Sequence, residues 1–103
     1  MSPPNILILM ADQLTATALA AYGNTVSKTP TMDALAAGGV VFESAYTNSP
    51  LCAPSRYVLM SGKLPSAIGA YDNAAEMPSE VLTFAHHLRH AGYRTVLSGK
   101  MHF

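Results

Sequence analysis

The chain has 103 residues, half of them apolar and 12% charged, which predicts a packed core and excludes extended disorder. A formal net charge of zero excludes a broad basic face for nucleic acid and an acidic tail. The single cysteine excludes an internal disulfide, and the apolar run 6–11 follows no Lys or Arg and is too short for a leader or a membrane span, so the expected location is cytoplasmic.

Residues 5–10 (NILILM) form an apolar run between Pro4 and Asp12 and read as a strand buried on both faces, as in a parallel sheet. Asp12 and Gln13 follow at its C-terminal end, where open α/β sheets place ligands. Residues 15–22 are Ala-rich and predict a short helix ended by Gly23 and Asn24. Thr29-Pro30 opens a second helix with Met32, Leu35 and Ala36 on one face and Gly38-Gly39 at its end. Residues 40–45 predict a second strand. Ser49-Pro50 predicts a turn, and residues 53–60 a helix with Pro54 in its first turn and Gly62 beyond its end.

Residues 63–80, broken by Pro65, Gly69 and Pro78, read as loop. After Ser79, residues 81–91 predict an amphipathic helix with Val81, Phe84, Ala85 and Leu88 on its apolar side, His86 and His90 on the other, and Gly92 as its stop. The two histidines have the i, i+4 spacing of a metal-binding pair, but no glutamate follows His86, so an exposed or domain-facing surface is the expected role. Residues 95–97 predict a third strand. The alternation of strands and helices predicts an α/β layered fold. The chain is short for a complete α/β enzyme, and it stops just after the last predicted strand without a closing helix, so residues 1–103 are expected to be the N-terminal portion of a larger domain.

Chemistry concentrates in Cys52-Ala53-Pro54-Ser55-Arg56, followed by Ser61-Gly62. Cys52 falls at a predicted helix N-terminus, where free amides and the macrodipole favour negative charge. Arg56, four residues on, returns to the same face. A nucleophile, anion-binding amides and a guanidinium suit a tetrahedral oxyanion ester. A lone cysteine without such context is more often a small buried hydrophobe. Near the other end, the strand 95–97 leads to Lys100 and His102, two residues apart, which alternation places on one side. There a cation and a proton-transfer group would sit together.

The segment 52–62 resembles the modification motif of the sulfatase family, Cys-x-Pro-Ser-Arg, four residues, then Thr-Gly, with Ser61 in place of Thr. Residues 92–102 (GYRTVLSGKMH) resemble the second signature of that family at every defined position. Within the family, Tyr71-Asp72-Asn73-Ala74-Ala75-Glu76, residues 83–89 and residues 98–103 are similar to the choline sulfatase branch. The resemblance implies the N-terminal part of an alkaline-phosphatase-like domain, a mixed, mostly parallel sheet flanked by helices.

It also implies hydrolysis of a small sulfate ester, with choline sulfate as the substrate of that branch. Cys52 is then the precursor of formylglycine, installed by a formylglycine-generating enzyme. Asp12 and the modified Cys52 are implied as ligands of a divalent cation, Ca2+ first, with Mg2+ or Mn2+ as alternatives. Arg56 orients the nucleophile, Lys100 holds the sulfate and His102 handles a proton. Asn73 lines the substrate site, although Asp72-Asn73 is also a favoured turn pair. No nucleic acid or membrane partner is implied, and a full-length homo-oligomer is left open. An arylsulfatase, a phosphonate monoester hydrolase of the same superfamily and a non-catalytic binding protein with an unmodified Cys52 are the alternative readings.

Overall fold

The computed structural model describes residues 2–102. The chain divides into two compact units, Met1–Ala45 and Tyr46–Phe103.

In the first unit, Ala16–Ala18 and Ala20–Tyr22 are two 3-10 turns rather than the one short helix predicted over 15–22. Leu19 between them is extended, with φ −106° and ψ 140°. The Asn24 side chain supplies the physical reason. Its Nδ2 donates to the Thr17 carbonyl at 2.7 Å, occupying an acceptor that a continuous helix would use for its own ladder. Its Oδ1 meanwhile accepts the Val26 and Ser27 amides at 2.9 and 2.7 Å. Helix α1, Pro30–Gly38, starts and stops where the sequence indicates, with Thr29 at the N-cap, Pro30 at the first helical position and Gly39 at the C-cap. The Thr29 hydroxyl donates to Asp33 Oδ1 at 3.0 Å across the first turn. None of the residues of α1 is buried, so the predicted face of Met32, Leu35 and Ala36 is not covered within the described chain.

The second unit holds α2, Cys52–Ser61; α3, Pro65–Ile68; and α4, Phe84–His90. Helix α2 packs against both α3 and α4. Ala53, Tyr57, Ile68, Ala70 and Val81 form the buried core, with Ala75 and Met77 half-buried around it. Helix α3 lies inside the stretch predicted as loop. Pro65, which reads as a breaker, sits at the start of this helix, where a missing N–H costs nothing. Helix α4 begins three residues later than predicted because Thr83 is its N-cap, in an extended conformation with φ −111° and ψ 163°. His86 Nδ1 lies 3.1 Å from the Thr83 amide and accepts from it, the place of Glu or Gln in a capping box. Val81 therefore enters the core from the preceding turn, while Phe84, Ala85 and Leu88 are half-buried on the helix. His86 and His90 are exposed, as expected.

At the end of α4 the Tyr93 amide bonds the Leu88 carbonyl and the Gly92 amide bonds the Arg89 carbonyl, both at 3.0 Å. Gly92 is left-handed, with φ +90°. This is a Schellman stop.

The three predicted strands, 5–10, 40–45 and 95–97, are not present as strands among the described residues. A strand exists only through a ladder to a neighbour, and a run apolar on both faces also needs covering layers. These segments have neither. Leu7 and Leu9 are 80% exposed, and Val40 and Val96 are 77% and 78% exposed. The predicted α/β sheet is thus replaced by helices joined by turns and non-helical segments.

Gly92→Ala in the full-length protein should cost about 1–2 kcal/mol, because an L-residue must take up the left-handed conformation. Apart from the adjoining residues, nothing in the described chain lies within 4 Å of an added β-carbon, so the loss expected by urea unfolding is conformational.

Candidate active site

The site is built on the first turn of α2. Leu51 is the N-cap, extended at φ −93° and ψ 148°, and its side chain has no group that can cap. The first turn is satisfied in other ways. Pro54 brings no N–H, and the Ser55 amide closes onto the Leu51 carbonyl at 3.0 Å. The Ala53 amide donates to Asn73 Oδ1 at 2.9 Å, across 20 residues of sequence. Asn73 is presented by a tight turn in which Asp72 Oδ1 accepts the Ala74 amide at 2.9 Å. The turn role expected of this Asp-Asn pair is realised. Asp72 shapes the turn, and Asn73 caps the helix that carries Cys52.

The far end of the motif is closed by Ser61. Its hydroxyl donates to the Tyr57 carbonyl at 2.6 Å and accepts the Lys63 amide at 3.1 Å. Gly62 follows as a left-handed C-cap with φ +67°. A hydroxyl is what this position uses, which Ser and Thr both supply.

Cys52 is a free, half-buried thiol at the first position of α2. The Lys100 ammonium donates to its Sγ at 3.6 Å. Arg56, half-buried one turn along, donates from Nη1 to the Lys100 carbonyl at 2.6 Å. Cys52, Arg56 and Lys100 are thus brought together from segments 44–48 residues apart. His102 joins through its main chain, whose carbonyl accepts a hydrogen bond from the Tyr57 hydroxyl. It is a non-glycine residue in the left-handed region, with φ +68°.

Tyr57 is the residue that sequence reading missed. It occupies an unspecified position of the motif, and no spacing argument marks it. The signal available for Asn73 as a cap was indirect: a leucine at the N-cap means that the amides beyond it need a partner from elsewhere.

Residues 4–103 match the family model described as Sulfatase. The chain belongs to the sulfatase family. It is 52% identical over 100 residues to a choline-sulfatase of Rhizobium meliloti, covering 97% of this chain and 20% of that one. It is 42% identical over 107 residues to arylsulfatase A of Bos taurus, covering 98% and 21%. A solved structure of a 2-O GAG sulfatase superposes with a TM-score of 0.81 at 35% identity, over 88% of this chain and 21% of that chain. The chain therefore spans about one fifth of the length of the relatives it matches. Its structural neighbours carry the alkaline-phosphatase-like fold of sulfatases.

Sulfatases hydrolyse sulfate esters and generally use formylglycine and a divalent metal. Asp12 lies in the first unit, exposed in a turn beside Gln13, which is left-handed at φ +54°. Among the described residues no group of three or more His, Cys, Asp or Glu side chains could hold a metal ion. The described part of this sulfatase does not by itself furnish a closed ligand set. No helix in it is long and apolar enough to cross a membrane.

Asn73→Ala should cost about 1 kcal/mol, the loss of a helix cap, by thermal or urea unfolding of the full-length protein. Asn73→Asp keeps an acceptor for the Ala53 amide and should retain most of that stability.

Proposed function

We propose that this chain is the N-terminal portion of a sulfatase catalytic domain whose nucleophile is made from Cys52 and whose substrate is choline sulfate. The observation that carries this reading is the meeting of the two motifs, with Lys100 donating to Cys52 Sγ while Arg56 holds the Lys100 carbonyl. The 52% identity to a choline-sulfatase supports the choice of ester. The free thiol of Cys52 is the unmodified precursor, to be converted by a formylglycine-generating enzyme.

Formylglycine at position 52 would supply a hydrated aldehyde as the nucleophile for sulfur, a group that plain serine or cysteine lacks. The chain's own residues bind and orient around it. The Lys100 ammonium holds the sulfate oxygens by charge-assisted hydrogen bonds. The Arg56 guanidinium, fixed by its bond to the Lys100 carbonyl, keeps the nucleophile in line and offsets negative charge. His102 takes a proton from the hydroxyl of position 52. Overall, water and the ester give the alcohol and sulfate. With Oδ1 committed to the Ala53 amide, the Nδ2 of Asn73 is the group it offers to substrate.

Asp12 is proposed as one ligand of a divalent cation, Ca2+ before Mg2+ or Mn2+. The modified Cys52 is proposed as a second ligand, and the rest of the set would come from beyond the described residues, which hold no group of three. The quaternary ammonium of choline also needs aromatic or acidic contacts from beyond this chain. The lone free thiol is compatible with a cytoplasmic location.

A second reading, an arylsulfatase, is favoured by the 42% identity to arylsulfatase A. Turnover of choline sulfate, an aryl sulfate and a phosphonate monoester by the full-length protein separates the readings. Choline sulfate should be cleaved with the highest kcat/KM, and a preference for either other ester overturns the choice. Cys52→Ala should reduce turnover to background with unfolding unchanged; substantial remaining activity excludes Cys52 as the nucleophile. Peptide mass spectrometry should find the aldehyde or its hydrate at position 52, and recovery of the thiol alone from a modification-competent host would favour a non-catalytic protein.

A further inference from the structure

Tyr57 is 1% exposed, yet its hydroxyl reaches out of the core to two main-chain carbonyls. One is Ala75, at 2.9 Å, in the turn that presents Asn73. The other is His102, 45 residues away. One phenolic proton is shared between them. A phenylalanine would fill the same core volume without this donor.

The second acceptor matters because of where His102 sits. Its φ of +68° lies in the left-handed region, which is uncommon for a residue with a β-carbon, although histidine enters it more readily than most. With φ positive, the side chain leaves the backbone in a different direction from that of an extended residue. Whatever fixes the main-chain torsions of His102 therefore also aims the imidazole. The tie comes from α2, the helix that starts at Cys52, so the same rigid element carries the nucleophile and the anchor of the proton-transfer residue.

We propose that Tyr57 is a positioning residue, whose hydroxyl holds the main chain of His102 in its left-handed conformation and so sets the imidazole relative to position 52. The inference deepens the sulfatase reading and rests on His102 acting in that reaction. Tyr57, buried in the core, acts through His102 in this reading.

The test uses Tyr57→Phe in the full-length protein, with the content of modified Cys52 matched by mass spectrometry. We expect kcat to fall about tenfold while KM stays within about twofold. In a His102→Ala background the same substitution should change kcat less than about twofold, because residues acting through one another are not additive. An equal loss in both backgrounds would mean that Tyr57 serves the fold alone and overturns the proposal. 4-Aminophenylalanine at position 57 restores a donor on the same ring and should recover most of the lost kcat.

Crystal structures of the wild type and Tyr57→Phe decide the geometric half independently of activity. Departure of His102 from positive φ supports the tie, and an unchanged His102 overturns it. If the wild type cleaves no sulfate ester, the functional reading fails, while this pair of structures still decides whether Tyr57 governs His102. Should Tyr57→Phe fail to fold, the 4-aminophenylalanine protein and its structure replace it: loss of the His102 tie there, with the donor present, overturns the proposal.

Discussion

Helix α2 cannot be capped by its own N-cap side chain. Its opening amides need acceptors, and here the N-cap side chain is leucine. The Ala53 amide is answered by Asn73 from a turn 20 residues downstream. The turn is drawn to the head of α2, Ala75 within it meets the Tyr57 hydroxyl, and the core closes between α2, α3 and Val81. Proline at position 54 reduces the number of amides left to satisfy. Cys52 is thus placed on a turn whose next amide, that of Ala53, is bonded from outside the helix, with its side chain half-buried and within reach of Lys100.

The two motifs are joined largely through main-chain atoms. Arg56 bonds the Lys100 carbonyl and Tyr57 bonds the His102 carbonyl, so α2 grips the backbone of the segment while the Lys100 side chain remains turned toward the thiol. Such contacts fix the position of a segment without consuming its functional groups. They also make the arrangement sensitive to the backbone conformation at His102, which is held on the left-handed side.

The apolar segments that do not pair are the counterpart of this well-tied site. Leu7, Leu9, Val40 and Val96 stand exposed, and none of the three segments forms a ladder. The chain spans about a fifth of its sulfatase relatives, which supports the proposal that neighbouring strands and covering helices come from sequence beyond it. Local hydrogen bonds are enough to hold helices, caps and tight turns; a parallel sheet requires strands separated by a crossover in sequence.

Sequence alone determined the elements that depend on near neighbours. Proline at 30 and 54, glycine at 39 and 62, and the apolar spacing over residues 81–91 marked helices that the structure contains. The two motifs marked Cys52, Arg56, Lys100 and His102, because an oxyanion chemistry needs those residue types in close order. Tertiary structure alone decided the rest. It showed that Pro65 starts a helix and that Asn24 splits residues 15–22 into two turns. It also decided that Asn73 caps α2 and that buried Tyr57 ties down His102. Those outcomes turn on hydrogen bonds between groups as much as 45 residues apart, and no local propensity or periodicity records which distant carbonyl a side chain will meet.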